Sequence, residues 1–391
     1  MRILLVGNYI PDRQHSMQRF AAMLHEGLCA AGHEVQLLNP RAVLNWKARD
    51  EEEERGAAQN GTNSQHAPTA GKWVAYADKF IAFPVSLRRA VQWADVVHVC
   101  DHSNAMYAAQ LRGKPHVVTC HDLLAVRGAL GENTDCPATA TGRILQRWIL
   151  RSLERAQMVA CVSSATRADL LRLAGEGMES HSCVVPLGVA PTMRHLARQE
   201  ALDRVGKVLG HRNRPFLLNV GSSLARKNRD GALRIFKKIS AQMDCDLVFA
   251  GEPLSPELKR LKSQIGLNGN VIEVPQPGDE ILEALYSSAF ALLYPTKFEG
   301  FGWPALEAQT CGCPVVTSAS TSIPEVVGDG AFLRAPEDEE GFAQDTLKLA
   351  DANVREQLVA RGFQNVKRFT PERMVGSYIG IYDTLCARNG N

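Results

Sequence analysis

The chain has 391 residues, too many for one comfortable core, and a length prior of ~150 residues per domain points to two or three domains. Apolar residues make up 45% and charged residues 22%, while 44 basic against 42 acidic side chains leave a net charge of +2. That balance is ordinary for a globular protein and gives no support to bulk polyanion binding, so no nucleic acid is expected as a partner.

The opening MRILLVGNYI carries one basic residue and a short apolar run, without the long apolar region and small-residue cleavage site of a secretory signal. No apolar run approaches the ~20 residues a membrane span needs. A cytoplasmic protein is therefore expected. Short β-branched runs alternating with amphipathic stretches give the βαβ rhythm of a parallel sheet buried on both faces. In the first half this rhythm predicts strands over 3–6, 34–38, 96–99, 116–120, 158–162 and 183–185. A helix is predicted over 17–31, with Phe20, Ala21, Leu24 and Leu28 on one face and Gly32 ending it.

Residues 45–72 interrupt the order with four consecutive glutamates, Glu51 to Glu54, and a polar run, which predicts a mobile surface loop. The segment after it, WVAYADKFIAFPVSLRRAVQWA, mixes aromatic residues with Lys79, Arg88 and Arg89. It suits packing on the sheet better than contact with acidic lipid headgroups, and Pro84 is expected to break any long helix there.

After a polar, basic stretch over 195–214, a second series begins, with strands predicted at 216–220, 247–250, 271–274, 291–294 and 314–317. The fold class is α/β: two Rossmann-like, doubly wound parallel-sheet domains facing a cleft. The first domain spans 1–190 with 371–391, and the second spans 191–370. Ligands of such sheets sit beyond the carboxyl ends of the strands, which directs attention to the loops there.

Three loops carry chemistry. The first is the run from Glu299 to Glu307, EGFGWPALE, which follows the strand ALLYP. Gly300 and Gly302 bracket a turn, and Pro304 suits the first turn of a helix. Such a turn exposes backbone amides and the positive end of the helix dipole to a phosphate or sugar hydroxyl, and two carboxylates there can accept hydrogen bonds from vicinal diols. The second is NVGSSLARKN, where the strand ends in Gly221 and the loop delivers Arg226 and Lys227. Paired cations can hold a diphosphate and offset the charge building on it as a leaving group. The third is VVTCHD, which places His121 at the carboxyl end of a buried strand.

These residues resemble glycosyltransferase family 4, the retaining nucleotide-sugar transferases of the GT-B fold, over essentially the whole chain. The resemblance is carried by the two glutamates with seven residues between them around GFGxP, by the RKN loop, and by TCHD. CVSS at Cys161 to Ser164, VPLGV at Val185 to Val189, and GHEV also match. It implies that Glu299 lies against the donor sugar and Glu307 against the ribose. The backbone of Phe301 and Gly302 would meet the sugar, Arg226 and Lys227 the diphosphate, and His121 the sugar and acceptor. The final segment would be the terminal helix that packs back on the first domain. Many members carry a Gly-Gly pair after the first strand, where this chain has His15-Ser16. The β-carbon of Ser16 restricts φ and adds bulk at a donor-binding position.

The resemblance thus implies a retaining hexosyltransferase using a UDP- or GDP-sugar. The acceptor would be a glycan, lipid-linked or small molecule of bacterial envelope synthesis, with peripheral contact at the inner membrane among the partners. No cofactor and no metal are expected. The single DxD, Asp244-Cys245-Asp246, precedes a strand and belongs at the amino end of its sheet, and His98 and His102 have no third ligand near them in sequence. Ten scattered cysteines without a CxxC pair read as reduced thiols, although Cys311-Gly-Cys313 leaves a metal or redox pair open. Alternative readings are an epimerase or glycan phosphorylase on the same fold, or a non-catalytic binding protein. A dehydrogenase lacks its G-x-G-x-x-G after the first strand.

Overall fold

The structure is a computed structural model, and it describes residues 1–12, 14–42, 74, 76–111, 113–210, 214–267 and 269–389. The expected loop over 45–72 lies outside the described residues. The chain divides into two units: Met1–Val162 with Arg167–Val185 and Met374–Asn391, and Ser163–Thr166 with Pro186–Arg373.

The first unit holds six parallel strands: β1 (Arg2–Val6), β2 (Glu34–Leu38), β3 (Val96–Val99), β4 (His116–Cys120), β5 (Met158–Cys161) and β6 (Ser182–Val184). Their order is β2-β1-β3-β4-β5-β6. Ile3, Leu4, Leu5 and Val6 are wholly buried on both faces of β1, which is why these strands read as continuous apolar runs rather than alternating ones. Helix α1 (His15–Ala30) covers the sheet with Phe20, Ala21, Met23, Leu24 and Leu28.

Two further helices shape the surface of this unit: α2 (Phe83–Trp93) and α3 (Ala140–Glu154). Pro84 does not break the helical run. A π-type turn at Asp78–Ala82 leads directly into α2, with Pro84 in its first turn. The wide turn has already opened the hydrogen-bond ladder, so a residue without an N–H fits beside it.

The second unit repeats the architecture with β7 (Phe216–Gly221), β8 (Asp246–Gly251), β9 (Val271–Pro275), β10 (Ala291–Tyr294), β11 (Val315–Ser318) and β12 (Phe332–Arg334). The order is β12-β11-β10-β7-β8-β9, again all parallel. The chain leaves β7 toward β8 on one side and returns to β10 on the other, so the topological switch point lies between β7 and β10.

Two elements here were not expected. The stretch over 195–214 contains helix α4 (Arg198–Leu209), whose Ala201, Val205 and Leu209 recur every four residues and are buried. Strand β12 is three residues long and only half-buried, too short for a pattern to register. Flanking the site below are α5 (Arg229–Ser240), α6 (Asp279–Ser288) and α7 (Trp303–Thr310).

The last helix, α8 (Pro371–Asn389), belongs to the first unit from Met374 onward. Its tyrosines are fully buried there: Tyr382 Oη lies 2.6 Å from His98 Nδ1 and Tyr378 Oη 2.8 Å from Thr119 Oγ1. His98 Nε2 closes the chain 2.7 Å from Thr119 Oγ1. Burial, and then the nearby His121, hold His98 down at about 3, so this network is neutral.

Candidate active site

The β7 loop is built to be rigid. Gly221 has φ 139°, a backbone state that side chains rarely adopt. Buried Arg229 clamps the loop through the Gly221 carbonyl, the Glu252 carbonyl at 2.6 Å and Ser223 Oγ at 3.2 Å. Its guanidinium lies 5.2 Å from the Phe249 ring, and burial lowers it to about 10 despite Glu252 and Glu273 nearby. A short turn, Ala225–Lys227, presents the two cations. Asn228 then donates to the Pro295 carbonyl at 2.8 Å, and the Lys297 amide donates to the Arg226 carbonyl at 2.7 Å. The loops after β7 and β10 are thereby fastened together at the switch point.

Lys227 and Glu299 meet directly. Lys227 Nζ donates to Glu299 Oε1 at 2.8 Å and Oε2 at 3.0 Å, and it also contacts Tyr294 Oη at 2.9 Å. Oε1 accepts two more bonds, from Tyr294 at 2.5 Å and Thr296 at 2.8 Å. Oε1 is saturated, while Oε2 retains a site for a ligand hydroxyl. Burial opposes ionisation of Glu299, but Lys227, Tyr294 and Thr296 outweigh it and hold the carboxyl below its usual range. The Tyr294 phenol is pushed far up by burial and then by Glu299, against the pull of Arg226. The result is an anion fixed by three donors.

The turn that follows is fastened to the loop after β11. Thr321 Oγ1 donates to the Glu299 carbonyl at 2.9 Å and accepts from its amide at 3.0 Å, while Ser322 Oγ donates to the Glu299 and Phe301 carbonyls. Ser163 adds a bond to the Gly300 carbonyl at 2.7 Å. Gly302 sits at φ 109°, where a β-carbon would come 2.5 Å from Ile323 Cδ1. The Phe301 ring is buried edge-on against Phe369 at 5.8 Å, so only its backbone is presented outward.

The amides of Ala305 and Leu306 turn back to the Gly302 carbonyl, and Pro304 has none. The amides of Ala305 and Leu306 are therefore not available to a ligand at the helix start. Glu307, one turn into α7, is 3% exposed and accepts from Tyr286 Oη at 3.1 Å.

His121 and Ser16 belong to the first unit. His121 Nε2 donates to the Cys100 carbonyl at 2.9 Å, which fixes the ring proton on Nε2 because a carbonyl can only accept. Burial lowers the His121 pKa, with Asp101 opposing, and the ring stays neutral. Phe20 packs edge-on against it at 5.0 Å. Ser16 is exposed in the first turn of α1. The unit's own switch point, between β1 and β3, gathers Asn8, Asp101 and His102. Asn8 Nδ2 lies 2.5 Å from Asp101 Oδ2, and His102 Nδ1 lies 3.1 Å from Asp101 Oδ1.

Other candidate groups lie elsewhere. Asp246 opens β8 at the amino end of the sheet, where Arg214 pairs with Asp244 and stands 3.8 Å from Asp246. All ten cysteines are free thiols, and Cys313 is pushed up to about 12 by burial. Among the described residues no group of three or more metal-ligating side chains occurs. A depression of about 580 Å³ lined by Ala156, Gln157, Met178 and Leu385 lies at the amino end of β5, away from the strand ends that carry these loops.

The sequence reading passed over Tyr294, Thr296, Thr321, Ser322 and Arg229, which hold the site together. Their signal was position: Tyr294, Thr296, Thr321 and Ser322 lie at or just past the carboxyl end of β10 or β11, and Arg229 opens the helix that follows the β7 loop.

Comparison with known proteins agrees with this architecture. Residues 205–364 match the family model for glycosyl transferases group 1, and residues 17–192 match that for Glycosyltransferase Family 4. The O-antigen chain mannosyltransferase B of Escherichia coli is 30% identical over 254 residues, which are 62% of this chain and 65% of that protein. The alignment thus spans just under two thirds of that relative. A GDP-mannose-dependent alpha-(1-6)-phosphatidylinositol dimannoside mannosyltransferase of Mycobacterium tuberculosis is 25% identical, over 84% of this chain and 82% of its own.

Sucrose-phosphate synthase from Thermosynechococcus elongatus superposes with a TM-score of 0.76 at 20% identity, covering 99% of this chain and 100% of that one. HepE of Anabaena, solved with UDP and glucose, gives 0.73 at 15% identity, covering 98% and 100%. Two family models that take in nearly all of 17–364, on a fold matched from end to end, settle the kinship: the chain belongs to the group 1, family 4 glycosyltransferases of the GT-B fold.

Proposed function

We propose that the protein transfers a hexose-type sugar from a nucleoside diphosphate sugar to a glycan or lipid-linked acceptor of the cell envelope, with retention of anomeric configuration and without a metal. The Lys227–Glu299 pair at the switch point of the second sheet carries this reading.

In it, Arg226, Lys227 and the amides of Phe301 and Gly302 hold the diphosphate, and Glu299 Oε2 accepts from a sugar hydroxyl. Glu307 accepts from the ribose diol. His121, neutral with its proton on Nε2, stands by the sugar and the acceptor. The bond from the anomeric carbon to the β-phosphate oxygen breaks as negative charge collects on the diphosphate, and the fixed cations stabilise it without reorganising. Glu299 is held by three donors and is poorly placed to act as a nucleophile. The acceptor hydroxyl therefore attacks from the face the diphosphate is leaving, and its proton passes to the departing phosphate oxygen. The two cations take the part a metal plays in other transferases, and the one DxD is engaged with Arg214 at the far end of the sheet.

Several relatives are named as mannosyltransferases, which makes GDP-mannose the first donor to test, with UDP-glucose beside it. The lipid-linked acceptor places the protein peripherally at a membrane. Incubating the chain with each donor and envelope lipid extract, then following nucleoside diphosphate release and product anomer by NMR, tests the reading. Release coupled to a product of the donor's own anomeric configuration supports it, whereas an inverted product or no release with any donor contradicts it.

A further inference from the structure

The most exposed large apolar side chains of the described residues gather on two helices of the first unit. Ile144 is 69% exposed, Ile81 68%, Val85 62% and Trp148 45%. Ile144 and Trp148 stand one turn apart on α3 and share a face, while Ile81 in the π-type turn and Val85 in the first turn of α2 lie four residues apart at the junction of the two. The Phe80 ring stacks on Trp148 at 5.5 Å with 29° between planes, which joins the two helices into one surface.

Exposed arginines flank these side chains: Arg88 and Arg89 on α2, Arg143 and Arg147 on α3. None of the four has an ion pair among the described residues. Helix α2 carries no acid, and α3 carries only Glu154 at its last residue. Lys79 is committed to Asp12, and Asp78 is buried beneath Tyr9. Aliphatic and indole side chains standing between guanidinium groups that have no ion pair among the described residues match an anionic bilayer surface, with apolar tips entering the acyl boundary and arginines meeting headgroup phosphates. A soluble protein partner would leave four like charges to be matched by an acidic face, whereas anionic lipid supplies that charge everywhere along the surface.

We propose that the outer faces of α2 and α3 form a docking surface for anionic lipid. The proposal rests on the reading above for its purpose, presentation of a lipid-linked acceptor, but its test needs no turnover.

The full chain is sedimented with vesicles of phosphatidylcholine alone and of phosphatidylcholine with phosphatidylglycerol in equal parts. Binding to the anionic vesicles, weakened by salt and by at least ~10-fold in Arg88→Glu/Arg89→Glu, is expected. Ile144→Glu/Trp148→Glu should lose binding as well, with an unchanged melting temperature in the arginine variant as the control for folding. Absence of binding to anionic vesicles overturns the proposal, as does binding that survives in both variants. Self-association of the wild type that both variants abolish, without vesicle binding, would instead assign the surface to a second copy of the chain and also overturn it. Failure of transfer with binding intact would strike the proposed function and leave this surface standing.

Discussion

Lys227 and Glu299, 72 positions apart in the chain, form a largely buried ion pair at 2.8 Å that ties the loop after β7 to the loop after β10. Their side chains are 13% and 9% exposed. Removing one partner strands the other as an unpaired charge, so Lys227→Met should cost ~3–5 kcal/mol in urea unfolding. The double variant Lys227→Met/Glu299→Gln should recover much of that loss. Simple addition of the two single effects would mean that the pair is not coupled.

On the proposed function, the same pair governs turnover. Lys227→Ala and Glu299→Ala should each lower it by ~100-fold, the scale of losing one preorganised charge-stabilising group. Circular dichroism below the melting transition should be unchanged. Near-normal activity in either variant places the chemistry elsewhere.

In the proposed site Tyr294 and Thr296 act as positioning residues, Thr296 through Glu299 and Tyr294 through both Glu299 and Lys227. Tyr294→Phe removes one of the donors to Oε1 and leaves Lys227 in place, so a loss of ~10-fold is expected, the low end of the scale for one hydrogen bond to a charged group. Steady-state kinetics of Tyr294→Phe beside Lys227→Ala checks the ranking. A Tyr294→Phe effect as large as that of Lys227→Ala would give the phenol a part of its own.

Gly302→Ala tests the turn. The substitution meets both a φ of 109° and Ile323 Cδ1 at 2.5 Å. The clash is with the end of a flexible side chain, so the backbone conformation dominates, at ~1–3 kcal/mol. Donor affinity should fall because the Phe301 and Gly302 amides are displaced. Adding Ile323→Val should restore little of it in a calorimetric titration, and full restoration would show that crowding, not φ, sets the cost.

His98 gives the first unit an acid sensitivity. Its pKa is lowered from 6.5 to about 3 by burial, so on acidification the unfolded chain takes up a proton before the folded one does. Stability should fall as pH drops from about 6.5 toward about 3, by up to ~1.4 kcal/mol per unit from this group. His98→Gln should flatten that slope, although it loses stability at neutral pH by breaking the Tyr382 and Thr119 bonds. Melting temperatures of both proteins across the window decide it, and parallel curves would contradict this assignment.

Much of the sheet framework was legible because a strand buried on both faces writes itself as an apolar run, as in the ALLY of β10. Glu299, Glu307, Arg226 and Lys227 were legible because a glycine turn or cation pair followed such a run. What the sequence did not show was partnership. Nothing in a linear pattern says that Lys227 holds Glu299, or that the last residue of a buried strand, Tyr294, aims its hydroxyl at that carboxylate. Pro84 misled because its penalty belongs to a regular helix and the π-type turn before it is not one. Helix α4 was missed because its arginines hid the four-residue recurrence of Ala201, Val205 and Leu209.

The central claim is that the Lys227–Glu299 site binds the donor's diphosphate. Titration calorimetry of the full chain with GDP and with UDP tests it most directly, in the wild type and in Lys227→Ala. The account predicts saturable binding of one of the two nucleotides, weakened at least ~10-fold in the variant, the scale of one charge-assisted hydrogen bond. Equal affinity in the two proteins would contradict it.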